Sequence, residues 1–239
     1  DGIERLETLA HGTPEELLLQ TLERQEPIET RDLLKKSNIA RDQARAALSA
    51  LVEEGQILVL DARPGSQDPS AVSDSSFLIS RSGWGALRER MDSLLGDYHR
   101  RFPLRAGMPR EEVKSRMARH IAGATPKLFN EIVSRAISEG WLAEAGLGAD
   151  RLRLPTHQPT LTPAQQRAVD RLLETFRQAP YTTPSVTQAE EEVGDEVFAS
   201  LVEQGQLVKL NEDVVLLADT YAQMASDVTA YLREHGTIT

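Results

Sequence analysis

The chain has no cysteine among its 239 residues, so neither disulfides nor thiolate metal sites can hold it together, which fits a reducing cytoplasm. No run of apolar residues approaches the ~18 of a membrane helix, and no basic-then-apolar leader opens the sequence. A soluble, cytoplasmic, monomeric protein is the expectation. Positive charge is scarce as well: 27 Lys and Arg stand against 37 Asp and Glu, a net charge of -10. That balance argues against a surface that grips phosphate throughout. No HExxH, no GxxxxGK[ST] and no nucleophile motif occurs, so neither catalysis nor a cofactor is expected of this chain. His99 and His120 lie far apart in sequence with no Cys and no carboxylate pattern between them, and read as structural or surface residues rather than metal ligands. The sequence opens on Asp1 and stops at Thr239, which suggests a piece of something longer.

What is present is a repeat. LVEEGQILVL at residues 51–60 returns as LVEQGQLVKL at residues 201–210. In the first copy Ala44, Ala47, Leu48, Leu51 and Val52 recur at helical spacing and stop at Gly55, after which residues 57–60 read as a strand. In the second, Val197, Phe198, Leu201 and Val202 lead to Gly205, and residues 207–210 and 214–217 flank Asn211, Glu212 and Asp213 as a β-hairpin. A diverged third copy lies between them: Phe129, Ile132, Val133, Ala136 and Ile137 precede Glu139, Gly140, Trp141 and Leu142, with residues 151–154 closing the hairpin.

Two further helices precede each copy. Thr13 and Pro14 make an N-cap and first helical residue, followed by a helix over residues 30–36; Thr162 and Pro163 repeat the start signal. Three helices and a hairpin make a winged helix, so the expected class is mainly α with small β-hairpins, in tandem winged-helix domains. The expected boundaries are a lead-in at 1–12, winged helices at 13–84, 85–156 and 157–219, and the first helix of a truncated fourth at 220–239. That last helix, with Tyr221, Met224, Val228, Tyr231 and Leu232 on one stripe, should pack on the third unit. Residues 61–76, rich in Pro, Gly, Ser and Asp, read as a long wing tip.

The cations are clustered. Between residues 99 and 127, Arg100, Arg101, Arg105, Arg110, Lys114, Arg116, Arg119 and Lys127 face only Glu111 and Glu112. Any nucleic-acid contact should be local to this stretch. Of the three hairpin-preceding helices, the second, with Lys127, Asn130 and Arg135, is the best candidate for RNA backbone contact. The first, where Asp42, Glu53 and Glu54 offset Arg41 and Arg45, reads as a solvated face. The third, read as carrying Glu190, Glu191, Glu192, Asp195 and Glu196, would repel phosphate. Trp84 and Trp141 are expected to pack a core edge.

The segment YHRRFPLRAGMPREEVKSRM, residues 98–117, resembles the selenocysteine-specific elongation factors of the SelB family, through Tyr98-His99, Pro103-Leu104, Gly107-Met108, Glu111-Glu112 and Ser115-Arg116. Residues 4–22, ERLETLAHGTPEELLLQTL, are similar to the entry into that family's first winged helix. The resemblance implies a C-terminal arm of winged helices that spaces the end binding an mRNA hairpin from the body delivering selenocysteinyl-tRNA at UGA. It further implies that GTP and Mg2+ belong to domains outside this chain, that the hairpin is read mainly by the fourth unit, and that the ribosome is a candidate partner. The connector at residues 155–163, with Pro155, Pro159 and Pro163, reads as a stiff hinge, and the resemblance implies a bend there. The rival readings are an acidic tandem winged-helix scaffold for protein partners, of the chromosome-segregation accessory type, and a DNA-binding regulator.

Overall fold

The computed structural model describes residues 12–62 and 68–236. The lead-in, apart from residue 12, and the middle of the 61–76 tip lie outside the described residues. The chain divides into two compact units: one holds the described residues up to Leu94 together with Arg110–Ala143, the other Leu95–Pro109 together with residues from Glu144 onward.

In the first unit, α1 (Pro14–Glu23) starts on a capping box in which Thr13 and Glu16 satisfy each other's backbone N–H groups, with Pro14 at the first helical position. Leu18 and Leu22 face inward. A short strand β1 (Ile28–Glu29) leads into α2 (Thr30–Lys36) and then α3 (Arg41–Glu53), which buries Ala44, Ala47, Leu48, Leu51 and Val52. Strands β2 (Ile57–Val59) and β3 (Phe77–Ser80) pair antiparallel, and β1 adds to the far side of β3, giving the order β1-β3-β2. The strand that returns from the wing tip is therefore the central one. Helices and sheet enclose one core of Leu18, Leu22, Leu33, Leu48, Leu51, Ile57 and Leu78.

The long helix α4 (Arg81–Arg101) follows β3 without a break. Its start is held by Ser80, whose Oγ accepts the Gly83 N–H at 2.9 Å, and by Glu26, whose carboxylate accepts the Ser80 N–H at 2.6 Å. A Cβ at Gly83 would overlap the Glu26 carboxylate, so a larger residue there would displace that side chain from Ser80.

The middle of the chain repeats the plan with β4 (Met108–Pro109), α5 (Arg110–Met117), α6 (Pro126–Ser138), β5 (Ala143–Ala145) and β6 (Arg151–Arg153), in the sheet order β4-β6-β5. In the second unit, α7 (Pro163–Gln178) and α8 (Val186–Val193) both start on capping boxes, Thr162 with Gln165 and Ser185 with Gln188. Gly194, at φ 88, turns the chain into α9 (Asp195–Glu203), and β7 (Leu207–Lys209) pairs with β8 (Val215–Leu217). Here the sheet has two strands; where a third would lie, the Thr183 hydroxyl donates to the Val215 carbonyl at 2.8 Å.

The break at Gly194 corrects the charge reading: Glu190, Glu191 and Glu192 belong to α8, the second helix of its trio, and only Asp195 and Glu196 open the third. The last helix, α10 (Ala218–His235), meets the hairpin of the third trio as expected, but only in part. None of its side chains is buried, and Tyr221, Val228, Tyr231 and Leu232 are each at least 38% exposed. It continues from β8 and its first turns meet β7 and β8, with Met224 half-buried, but the rest of its apolar stripe stays exposed among the described residues.

The repeated phrase is a repeated helix stop. After α3, α6 and α9 the glycines 55, 140 and 205 adopt φ of 66, 78 and 72. In each case the glycine and the following residue donate to the last helical turn: Gly55 to Val52 and Gln56 to Leu51, Gly140 to Ile137 and Trp141 to Ala136, Gly205 to Val202 and Gln206 to Leu201. This is the left-handed cap that a residue with a Cβ adopts only with strain.

Candidate nucleic-acid interface

The eight clustered cations do not form one free surface. In the first unit, Lys114 pairs with Glu111 at 2.7 Å and Arg116 with Glu112 at 2.5 Å, both along α5 with the acid N-terminal to the base, the favourable order. Arg110 donates to the Asn130 amide oxygen at 3.3 Å. Arg119 donates to the His120 ring, and Lys127 lies over the Phe77 ring at 5.4 Å. Partial desolvation, then the neighbouring Arg119 and Arg90, hold the His120 pKa below its ordinary value. In the second unit, Arg100 pairs with Asp97, and Arg101 stacks over Phe102 at 5.3 Å. Arg101, Arg119 and Lys127 thus meet rings where the others meet carboxylates or an amide, and all three are exposed. They carry the least compensated charge of the cluster.

Arg105 is committed elsewhere. Its guanidinium binds Glu203 at 2.5 Å, Arg151 reaches the same carboxylate oxygen at 3.1 Å, and the Ala106 N–H donates to the other oxygen at 3.2 Å. The Glu203 side chain is only 6% exposed. Burying a carboxylate is costly unless it is paired and hydrogen-bonded, and three donors meet that need. Beside this contact Leu104 inserts into the core formed by Leu172, Phe176, Phe198 and Leu201. The segment from Leu104 to Ala106, together with β6, is thereby fastened to α9.

The connector at residues 155–163 is clasped rather than loose. The Arg153 guanidinium donates to the carbonyls of Leu154, Pro155 and His157. The His157 ring stacks on His99 with centroids 3.7 Å apart, and its Nε2 donates to the Arg105 carbonyl at 2.8 Å. The Leu154 N–H donates to His99 Nε2 at 3.2 Å, so His99 must be neutral there. Its pKa is lowered to about 4, by burial first and then by His157 and Arg153. Pro163 is the first residue of α7 and belongs to the helix start.

Arg135 corrects a sequence reading. Offered for RNA contact, it is 4% exposed, pairs with Glu139 at 2.8 Å and donates to the Val59 carbonyl at 2.8 Å. Its guanidinium also lies over the Trp84 ring. Trp84 and Trp141 meet edge to face at 5.5 Å, and both indole N–H groups donate to the same Glu139 oxygen. The two tryptophans do pack a core edge. Sequence reasoning missed Glu203, Glu26 and His157 as anchors, and no local signal marks them: Glu53 holds the place of Glu203 in the repeat and is exposed. Among the described residues no group of three His, Cys, Asp or Glu is placed to hold a metal ion.

Three helices closed by a small antiparallel sheet with a hairpin wing define a winged-helix domain. The comparisons narrow this. Residues 93–146 match the family model described as elongation factor SelB, winged helix. The chain is 36% identical over 140 residues to the selenocysteine-specific elongation factor of Desulfomicrobium baculatum, an alignment that covers 56% of this chain and 20% of that protein. The likeness to SelB factors carried by residues 98–117 falls inside the matched segment. The aligned region spans about a fifth of the relative's length. Among the described residues no helix is long and apolar enough to cross a membrane.

Proposed function

We propose that the chain is the C-terminal winged-helix arm of a selenocysteine-specific elongation factor. It comprises winged helices at 13–84, 85–156 and 157–219, with α10 opening a fourth at 220–239. The arm spaces the mRNA-hairpin-binding end from the body that binds GTP and Mg2+ and delivers selenocysteinyl-tRNA at UGA, in the cytoplasm and next to the ribosome. The observation that carries this reading is the SelB winged-helix match at residues 93–146. Two structural features support it. The exposed Tyr221, Val228, Tyr231 and Leu232 of α10 suit a helix that a further module would cover, and the anchoring of Glu203 suits an arm that holds distance and direction rather than one that reads bases.

RNA contact by this chain is then auxiliary, through exposed Arg101, Arg119 and Lys127 more than through the carboxylate-paired cations. A pivot at Pro155 and Pro159 would first have to open the His99, His157 and Arg153 clasp. The test is salt-dependent binding to a UGA-adjacent hairpin RNA, comparing the chain with a longer one carrying the next complete winged helix. Weak binding by the chain and a large gain on extension are expected. No gain on extension would overturn the reading. Alanine at Arg101, Arg119 and Lys127 should each lower the slope of log K against log salt by about 1 where that side chain meets a phosphate.

A further inference from the structure

Among the described residues, the corner where α2 meets α3 holds a pocket of about 300 Å3, lined by Arg31, Leu34, Lys35, Ile39, Arg41 and Asp74. It is a built feature. The α2 start is tied to the returning wing segment by Thr30 N–H to Ser76 O at 2.9 Å and Arg31 N–H to Asp74 O at 3.0 Å. The turn itself is fixed by the Ser37 hydroxyl donating to the Leu34 carbonyl at 2.9 Å and by Asn38 at φ 55. Leu34 and Ile39, both half-buried, supply the apolar wall.

The charges around it are unequally spent. Arg45 neutralises Asp74 at 2.8 Å, and Glu29 holds Arg31 at 2.7 Å. Lys35 and Arg41 are exposed, and among the described residues their side chains have no hydrogen-bond or ion-pair partner. An aliphatic socket of this size, at the small end of ligand pockets, admits about one large side chain, and two unspent cations on its rim call for negative charge on either side of that side chain.

We propose that this corner docks an acidic peptide segment through one aliphatic anchor residue. A peptide fits better than RNA: no aromatic ring lines the pocket for a base to stack on. The chain's net charge of -10 also repels a long polyanion, whereas a short acidic segment meets mainly the local rim. The proposal does not depend on the elongation-factor reading.

The experiment follows Leu and Ile methyl NMR signals of the full chain during titration with a synthetic acidic hexapeptide carrying one central leucine. Controls are the same peptide with serine in place of leucine and an oligouridylate of equal charge. Saturable shifts at Leu34 and Ile39 with the leucine peptide are expected, with a Kd of roughly 0.1–1 mM. The serine peptide should bind at least about fivefold more weakly, and the double variant K35E/R41E about tenfold more weakly. Both variant positions are exposed, and unmoved Leu18 and Leu78 methyls would show the core intact. Absence of saturable shifts at Leu34 and Ile39, equal binding of the serine peptide, or tighter binding of the oligouridylate would each overturn the proposal.

Discussion

Replacing Glu203 by alanine isolates the contact that fastens the middle of the chain to α9. The variant leaves the Arg105 and Arg151 guanidiniums and the Ala106 N–H without their acceptor. Removing one partner of a buried ion pair costs about 3–5 kcal/mol, mostly from the charge left behind. Here the Arg105 and Arg151 side chains are 33% and 18% exposed, so water recovers part of that cost and about 2–3 kcal/mol remains. Glu203→Gln keeps an acceptor oxygen but turns an NH2 toward the guanidiniums, and should lose about half as much. The assay can be made specific to one unit. Both tryptophans, Trp84 and Trp141, lie in the first unit, and Glu203 with all its partners lies in the second. Urea unfolding followed by far-UV circular dichroism should therefore show a destabilised transition that tryptophan fluorescence does not follow. In a double-mutant cycle, Arg105→Ala should cost little once Glu203 is gone. A loss under about 0.5 kcal/mol for Glu203→Ala, or full additivity in the cycle, would refute the anchoring argument.

The mirror experiment concerns the first unit. Arg135→Ala should lose about 2–3 kcal/mol, read by tryptophan fluorescence, because the Val59 carbonyl and Glu139 lose a buried donor; Arg135→Lys keeps the charge without the planar stack on Trp84 and should recover less than half. Acid should also loosen the connector. The folded pKa of His99 is about 4 against an ordinary 6.5, so the unfolded chain takes up the proton first. Stability from this group is complete above pH 6.5 and is lost as pH falls from there through 4, by about 1–3 kcal/mol. His99→Gln, whose amide oxygen can accept the Leu154 N–H, should flatten this part of the stability-versus-pH curve measured by circular dichroism; an unchanged slope would show that His99 is not its source.

Local interactions made much of the fold legible in advance. The start at Thr13 and Pro14, the helix over residues 30–36 and the stops at Gly55, Gly140 and Gly205 all stand as read. Each is set by residues within a few positions of one another: a cap, a left-handed glycine, an apolar period. Readings failed where a single φ or a distant partner decided. Gly194 moved three glutamates onto another helix. Arg135 looked like any surface cation until the Val59 carbonyl and Trp84 met it. The apolar stripe of α10 was legible, but nothing in its period shows that only its first turns meet the hairpin.

The repeated phrase draws the boundary between the two kinds of information. Glu53 and Glu203 occupy the same place in it, two residues before the capping glycine, and the sequence determined that both helices end there. Yet Glu53 is exposed, while Glu203 is buried under two arginines. Only the tertiary structure decided which carboxylate becomes an anchor, because a buried charge is tolerable only where the rest of the chain brings donors to it, and those donors come from residues 105, 106 and 151.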